Sequence, residues 1–355
     1  MITIRDVARH ADVSVATVSR VINKKDFVSD DLTQRVQHSI SFLGFEPDFL
    51  ARTWRTRVTR AVAAVISDNT SPHHGIVIRE AGAVAMSRDY SLVLCTTFSN
   101  ADTERRYLRM LRLRRIDGVL LNTVGDCEDG IRDLTAAGVP VVLLNRPLGS
   151  YGPLVDAVVV DSYRGSYNLV DHLIRLGHRR IALLTGWLHT YHRSERLRGY
   201  YDALQAHDLP VDASLARSCE PGYGNVADLI TDLTRLSPRP TALYAGGYSI
   251  GLAAMTALRA QGRHIPQDIA FAMFDDVPWG AFMDPPLTLV RNPGEEIGRA
   301  AMELLFARMA DRTRPPQEVR LQPEMVVRRS CGWQGEIVTP LAVAMRIEAA
   351  LPVAC

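Results

Sequence analysis

The chain has 355 residues, enough for about two to three domains at roughly 150 residues each. Hydrophobic residues make up 47% and charged residues 23%, which excludes a disordered or collagen-like chain and fits a globular protein with a sizeable core. The net charge of +2 sums unlike parts: residues 1–60 carry ten basic and seven acidic side chains, the other 295 carry 31 and 32.

The start, Met1-Ile2-Thr3-Ile4-Arg5-Asp6, lacks the apolar core of a signal peptide. No apolar run approaches the ~18 residues of a membrane span. Cys95, Cys127, Cys219, Cys331 and Cys355 are odd in number and form no C-x-x-C pair. Reduced thiols, no metal site and a cytoplasmic location are expected.

Ile4, Val7, Ala8 and Ala11 share one helical face, at the i, i+3, i+4, i+7 spacing. Thr3 as N-cap with Asp6 three positions on makes a capping box. After the turn Asp12-Val13-Ser14, a second helix runs from Val15 to Asn23 with Val18, Val21 and Ile22 inward and Ala16, Thr17, Ser19 and Arg20 outward. Small Ala8 at the crossing gives a helix-turn-helix, and a third helix spans about Asp31 to Leu43. The outer face offers small side chains for close approach to the major groove and Arg20 for a guanine edge or phosphate. Ser14, Thr17, Asn23 and Ser29 suit phosphate oxygens. A plain three-helix bundle gives the same periodicity, so the pattern alone leaves both readings open.

The residues themselves go further. Ile4-Arg5-Asp6-Val7-Ala8, Val13 through Asn23, Val28-Ser29, Arg35-Val36, Leu43 through Pro47 and Ala51-Arg52 closely resemble the signature of the lactose-repressor (LacI) family of bacterial transcription regulators. The resemblance implies that Val15, Ala16 and Arg20 read bases while Ser14, Thr17, Ser19, Asn23 and Ser29 position the helix on the backbone. Thr3 and Arg52 complete the expected DNA-binding residues. Asp12 stands where the family commonly has a turn glycine, and Asp tolerates the left-handed conformation. Residues 48–60 hold four arginines and no acid after Asp48. The resemblance implies a hinge helix that wedges a side chain into the minor groove, with Trp54 in place of the family's leucine. Packing of Trp54 on a dimer mate is the alternative.

From Ala61 onward short apolar runs alternate with helical patterns. Strands are predicted at Val62–Ser67, Ser91–Thr96, Gly118–Leu121, Val139–Leu144, Val158–Asp161, Arg180–Thr185, Thr241–Ala245, Ile269–Phe274 and Leu287–Val290. Helices are predicted at Gly165–Leu176, Glu195–His207 and Glu295–Asp311, among others. Alternation argues for parallel, doubly wound sheets, and about nine strands are too many for one tidy sheet. Ile116-Asp117-Gly118-Val119, Gly138 through Val142, His172 through Ala182, Arg196 through Tyr200, Phe274 through Trp279 and Asp284 through Pro293 resemble the same family's sensor body. The implied fold is an N-terminal all-α helix-turn-helix domain plus an α/β periplasmic-binding-protein-like (type I) body of two Rossmann-like lobes. The expected boundaries are 1–47 for the reader, 48–60 for the hinge and 61–335 for the body. Lobe 1 is expected at about 61–160 plus 291–320, lobe 2 at about 161–290 plus 321–335, with the tail 336–355 unassigned. The tail lacks the leucine heptads of a tetramer-forming coiled coil.

Ligands of such folds sit where strands end and lobes face each other. Arg196, expected to open a helix, and Asp275, at a strand end, are placed to clasp a polyol through charge-assisted hydrogen bonds. A salt bridge internal to the lobe is the alternative. The remaining effector candidates are His73, His74, Asn122, Asn145, Asp161, Gly247, Trp279 and Asn292. Three departures from the family pattern are His73-His74 for an aromatic pair, Asn145 for Asp, and Gly247-Tyr248 for Asn-Asp. They leave a sugar, a sugar acid and a related polar metabolite all open.

Gly247-Tyr248-Ser249-Ile250-Gly251 is a G-x-S-x-G motif, but the last histidine, His264, precedes the candidate acid Asp275, so no base follows in hydrolase order and a serine hydrolase is set aside. His189, His192 and Glu195 form a weak metal pattern. The arginines of 105–115 read as a solvated helix face. A sugar-binding transport protein would need an export signal and no helix-turn-helix. The expectation is a homodimeric regulator, not an enzyme, with no cofactor and no membrane. Its partners are a palindromic double-stranded operator and a small polar effector.

Overall fold

The computed structural model describes residues 2–22, 28–45, 58–68, 70–114, 116–125, 127–147, 155–186 and 190–335. Of the residues singled out above, Asn23, Arg52, Trp54, Arg115 and His189 lie outside them, as do most of the expected hinge and the tail 336–355. The chain divides into two compact units, residues 1–59 and 60–355.

The first unit holds α1 (Ile4–His10), α2 (Val15–Ile22) and α3 (Asp30–Leu43). Their inward faces meet in one small core of Val7, Ala8, Ala11, Val18, Val36 and Phe45. The Asp6 carboxylate reaches back to accept both the Thr3 N–H at 2.9 Å and the Thr3 hydroxyl at 2.7 Å. Gly44 ends α3 in the left-handed conformation at φ +61°, the usual helix stop for a residue without Cβ.

The second unit runs β1 (Ala61–Ile66), α4 (Pro72–Met86), β2 (Ser91–Thr96), α5 (Ala101–Leu113), β3 (Gly118–Leu121), α6 (Glu128–Ala136), β4 (Val141–Leu144) and β5 (Asp156–Val160). It continues with α7 (Ser162–Arg175), β6 (Ile181–Thr185), α8 (Tyr191–Ala206), β7 (Ala216–Ser218), α9 (Val226–Arg235), β8 (Ala242–Ala245), α10 (Tyr248–Ala260), β9 (Ala270–Phe274) and β10 (Thr288–Arg291). It closes with α11 (Gly294–Ala310), β11 (Glu318–Leu321) and β12 (Glu324–Val326). The strands form two six-stranded sheets, ordered β11-β5-β4-β3-β1-β2 and β12-β10-β9-β8-β6-β7. Each pairing is parallel except β10 with β12. The inner strands of each sheet are buried on both faces, because alternate residues of one strand enter different cores. Val62 and Ala64 pack with α4 and α11, whereas Ala63 and Val65 pack with α5 and α6.

The chain crosses between sheets after β5, after β10 and after β11. The first lobe thus depends on α11 and β11 from far along the chain. Its deepest polar link does too. Arg308 of α11 makes a forked pair with Asp156 at the start of β5, Nε to Oδ2 at 3.0 Å and Nη2 to Oδ1 at 2.9 Å, both side chains buried. The Gln317 N–H adds a third bond to Asp156 at 2.8 Å.

Three short strands escaped the sequence reading: β7, β11 and β12. Helices α7 and α8 also begin three and four residues earlier than expected, since the Asp161 side chain caps α7 by accepting the Arg164 N–H at 2.9 Å. Arg196 accordingly does not open its helix but lies in the second turn of α8.

Candidate functional site

In the first unit the reading face is built by two local devices. Ser14 Oγ accepts the Thr17 N–H at 3.1 Å, so α2 starts at Val15 with a satisfied end. Asp12 turns the chain at φ +51°, a left-handed conformation that a short polar side chain tolerates. Arg35 of α3 pins that turn by donating to the carbonyls of Ala11 at 2.7 Å and Asp12 at 3.3 Å. Arg35 is therefore structural, a role its place in the motif did not reveal. With Val18 buried, α2 leaves Val15, Ala16 and Arg20 exposed and Thr17 and Ser19 half-buried. Thr3, Ser14 and Ser29 are exposed as well, and Ser29 caps α3 without a side-chain bond.

In the second unit the expected effector residues gather at the carboxyl ends of strands and around the crossovers, where doubly wound sheets bind ligands. Asp275 follows β9 in a left-handed conformation at φ +75°. Its carboxylate accepts the Asn292 amide at 2.7 Å and the Tyr248 N–H at 3.2 Å. It also stands 3.6 Å from the Arg196 guanidinium. Arg196 is buried, donates to the Gly246 carbonyl at 2.6 Å and lies 3.6 Å from the centre of the Phe274 ring. The ion pair proposed as an alternative to ligand binding therefore forms, but loosely: Asp275 is closer to Asn292 than to Arg196. Gly247 sits over both partners, for a Cβ there would lie 3.6 Å from Asp275 Oδ2 and 3.7 Å from Arg196 Nη1. The rings of Tyr248 and Trp279 are 6.5 Å apart beside it.

From the other lobe, the first turn of α4 supplies His73 and His74. His74 Nδ1 meets the Asp68 carbonyl at 2.5 Å and Nε2 meets the Asn122 amide at 3.0 Å. Asn145 takes φ +58° after β4. Asp161 caps α7 through Oδ1 and accepts Gln322 on Oδ2 at 3.4 Å. Burial lowers His73 to about 4, with Asp275 opposing and His74 and Arg196 adding to the effect, so charges from both lobes reach this ring. Burial likewise holds His192 of α8 well below its ordinary value, reinforced by Arg196, Arg193 and Arg146.

Those last two arginines and His192 were not among the expected effector residues. The signal was spacing: with α8 starting at Tyr191, His192 and Arg196 stand one turn apart on one face, and Arg193 is Arg196's i−3 neighbour. Of the metal pattern, Glu195 is engaged with Arg198 at 2.5 Å, and among the described residues no group of three metal-ligating side chains gathers.

The low pKa of His73 has a measurable consequence. The unfolded chain takes up this proton near pH 6.5 and the folded one only near 4. Stability is thus fully present above pH 6.5 and falls as pH drops toward 4, by up to about 3 kcal/mol. Urea midpoints at pH 7.5, 6 and 5 are expected to fall less steeply in His73→Gln; equal acid sensitivity in both proteins contradicts this origin.

Comparison with known proteins follows the same division. Residues 3–48 match the family model described as bacterial regulatory proteins, lacI family, and residues 170–331 match a periplasmic binding protein-like domain. The HTH-type transcriptional repressor PurR of Mannheimia succiniciproducens is 30% identical over 334 residues, 93% of this chain and 98% of that protein. The PurR of Aliivibrio fischeri is also 30% identical, over 339 residues. Among solved structures, the complex of the transcriptional regulator CelR with cellobiose is 33% identical, covers 93% of this chain and all of that one, and superposes with a TM-score of 0.70. The lac repressor dimer bound to operator and the anti-inducer ONPF, 22% identical with a TM-score of 0.80 over 93% of this chain and 99% of that one, shares the fold.

Proposed function

This chain belongs to the lacI family of bacterial regulatory proteins, and from that premise we propose that it is a sequence-specific transcriptional repressor. Its operator affinity is set by a small polar effector held between the lobes. One observation carries the DNA reading: α2, capped at Ser14 and set by the Asp12 turn, presents Val15, Ala16 and Arg20 clear of its core. Small side chains permit close approach to base edges, and an arginine reads guanine in the major groove. The same chain carries the Arg196–Asp275 pair, and an effector that changes operator affinity must in turn bind with an affinity that the operator changes by the same factor.

The protein works as a homodimer on a palindromic operator, since a two-fold protein imposes two-fold symmetry on its site. Exposed apolar side chains support self-association. The edge strand β2 exposes Val93 and Leu94, with Phe98 at 73% exposure just after it, and Phe282 in the second lobe is 89% exposed. Among the described residues no helix is long and apolar enough to cross a membrane. The family reading makes this a binding site and not a catalytic one, with Ser249 of the G-x-S-x-G motif in the first turn of α10.

Selection of duplexes from a random pool by the full chain is expected to enrich a palindrome, bound with strong salt dependence. Arg20→Ala is expected to cost about 1–3 kcal/mol per half-site and to relax specificity at one base pair of each. Failure to enrich any two-fold sequence refutes the DNA reading.

A further inference from the structure

We propose that the effector of this cleft is anionic, a carboxylate or phosphate on a hydroxylated body, seated against Arg146, Arg193 and Arg196 over the open floor at Gly247. The inference deepens the regulator reading above and rests on it.

The first support is where the positive charge lies. Thr185 ends β6, and α8 then brings Arg193 and Arg196 into its first two turns. Arg193 is folded against the strand end: a Cβ on Gly186 would stand 2.7 Å from its guanidinium, and its Nη2 donates to the Tyr223 hydroxyl at 3.3 Å. Arg146, 8% exposed, comes from the first lobe just after β4. Arg193 and Arg196 lie within one turn of each other on α8, and both, together with Arg146, push the half-buried His192 toward its neutral form.

The second support is what the acids there are doing. Asp276 is paired with Arg291 at 2.6 Å, Asp161 caps α7, and Asp275 is divided among Asn292, the Tyr248 N–H and Arg196. Helices α4, α7, α8 and α10 begin at this region with no acidic residue in the first turn, whereas α3, α5, α6, α9 and α11 all have one. Asp161 and Asp275 already take up the ends of α7 and α10, which leaves the positive ends of α4 and α8 to add to the field.

The third support is unspent bonding capacity. Arg196 is 6% exposed, and its Nε is buried with no hydrogen-bond partner among the described residues. The Asn292 Oδ1 beside it is in the same state. A buried donor on a cation calls for an acceptor, best an anion, and a lone amide oxygen suits a hydroxyl. A side chain at position 247 would occupy the space above Arg196 and Asp275, and glycine leaves it free.

The test uses the full chain and inorganic phosphate, titrated against chloride at constant ionic strength and read by thermal unfolding and calorimetry. Phosphate is expected to raise the midpoint saturably. Arg193→Gln is expected to weaken phosphate at least about 10-fold, the loss of one charge-assisted contact, while Arg109→Gln on the exposed face of α5 keeps it. Glucose 6-phosphate, glucuronate and glucose then separate phosphate from carboxylate, with the acidic members binding more tightly than glucose. Phosphate acting no differently from chloride, or Arg193→Gln binding it undiminished, overturns the proposal. If glucose or another neutral sugar shifts DNA affinity while the anions do not, the anion falls and the regulator stands. Failure of the chain to bind any palindromic duplex instead removes the regulator reading.

Discussion

Replacing Arg196 by alanine is expected to leave a folded repressor that binds its operator but no longer responds to its effector. Arg196 ties α8 to the ends of β8 and β9: its side chain touches the Gly246 carbonyl, the Asp275 carboxylate and the face of Phe274. Truncation removes the Nε donor that has no partner among the described residues and leaves Asp275 without its cation. A charged hydrogen-bonding partner lost from a desolvated site costs about 2–4 kcal/mol, roughly 30- to 1,000-fold in affinity. Arg196→Lys keeps the charge but not the planar fork and is expected to recover only part of it. Anisotropy of an operator duplex checks this, using the sugars and sugar acids that move the wild-type curve. An Arg196→Ala protein with the wild-type response removes this residue from the site.

Asp156→Ala is expected to be the most destabilising single change. It strands the Arg308 guanidinium in a fully buried position, where the lost partner supplied two bonds near 3 Å and also held the Gln317 N–H. Breaking a buried pair from one side costs about 3–5 kcal/mol, a midpoint lower by roughly 10 °C for a body of this size. The double change Asp156→Leu, Arg308→Met removes both charges and is expected to recover much of the loss. Asp156 and Asp161 stand at opposite ends of β5, about 16 Å apart at ~3.3 Å per residue. Effector response in the surviving fold is therefore expected to persist. Calorimetric melting decides the matter, and a loss under 1 kcal/mol for Asp156→Ala contradicts a structural role for the pair.

The helix-turn-helix was legible because everything that makes it is local. The Thr3–Asp6 capping box, the Ser14 cap, the left-handed Asp12 and the spacing of Val7, Ala8 and Val18 all act within a few residues. The strands with continuous apolar runs, such as Val62–Val65 and Ala270–Phe274, were legible for the same reason. Strand β7 was not: Ala216-Arg217-Ser218 has no apolar run and is a strand because Leu183, Leu184 and Thr185 of β6 pair with it. Strand β11 alternates Glu318-Val319-Arg320-Leu321 but becomes a strand only by pairing with Ala157–Val160, some 160 residues earlier. At the cleft, Arg196 and Asp275 were named from the sequence, whereas Arg193 and His192 became visible once the true start of α8 was known.

What the sequence determined by itself is therefore a reader with short-range instructions and a body of alternating elements, with a surplus of arginine at its N-terminal end. Tertiary structure decided the rest: which strands share a sheet, that α11 and β11 complete a lobe begun by β1, and that Arg196 of α8 and Asp275 after β9 stand together beside Gly247. The physical reason is range. Caps, turns and helical periodicity are settled by neighbours along the chain, but an edge strand or a charge cluster exists only once distant segments have paid the entropy of coming together.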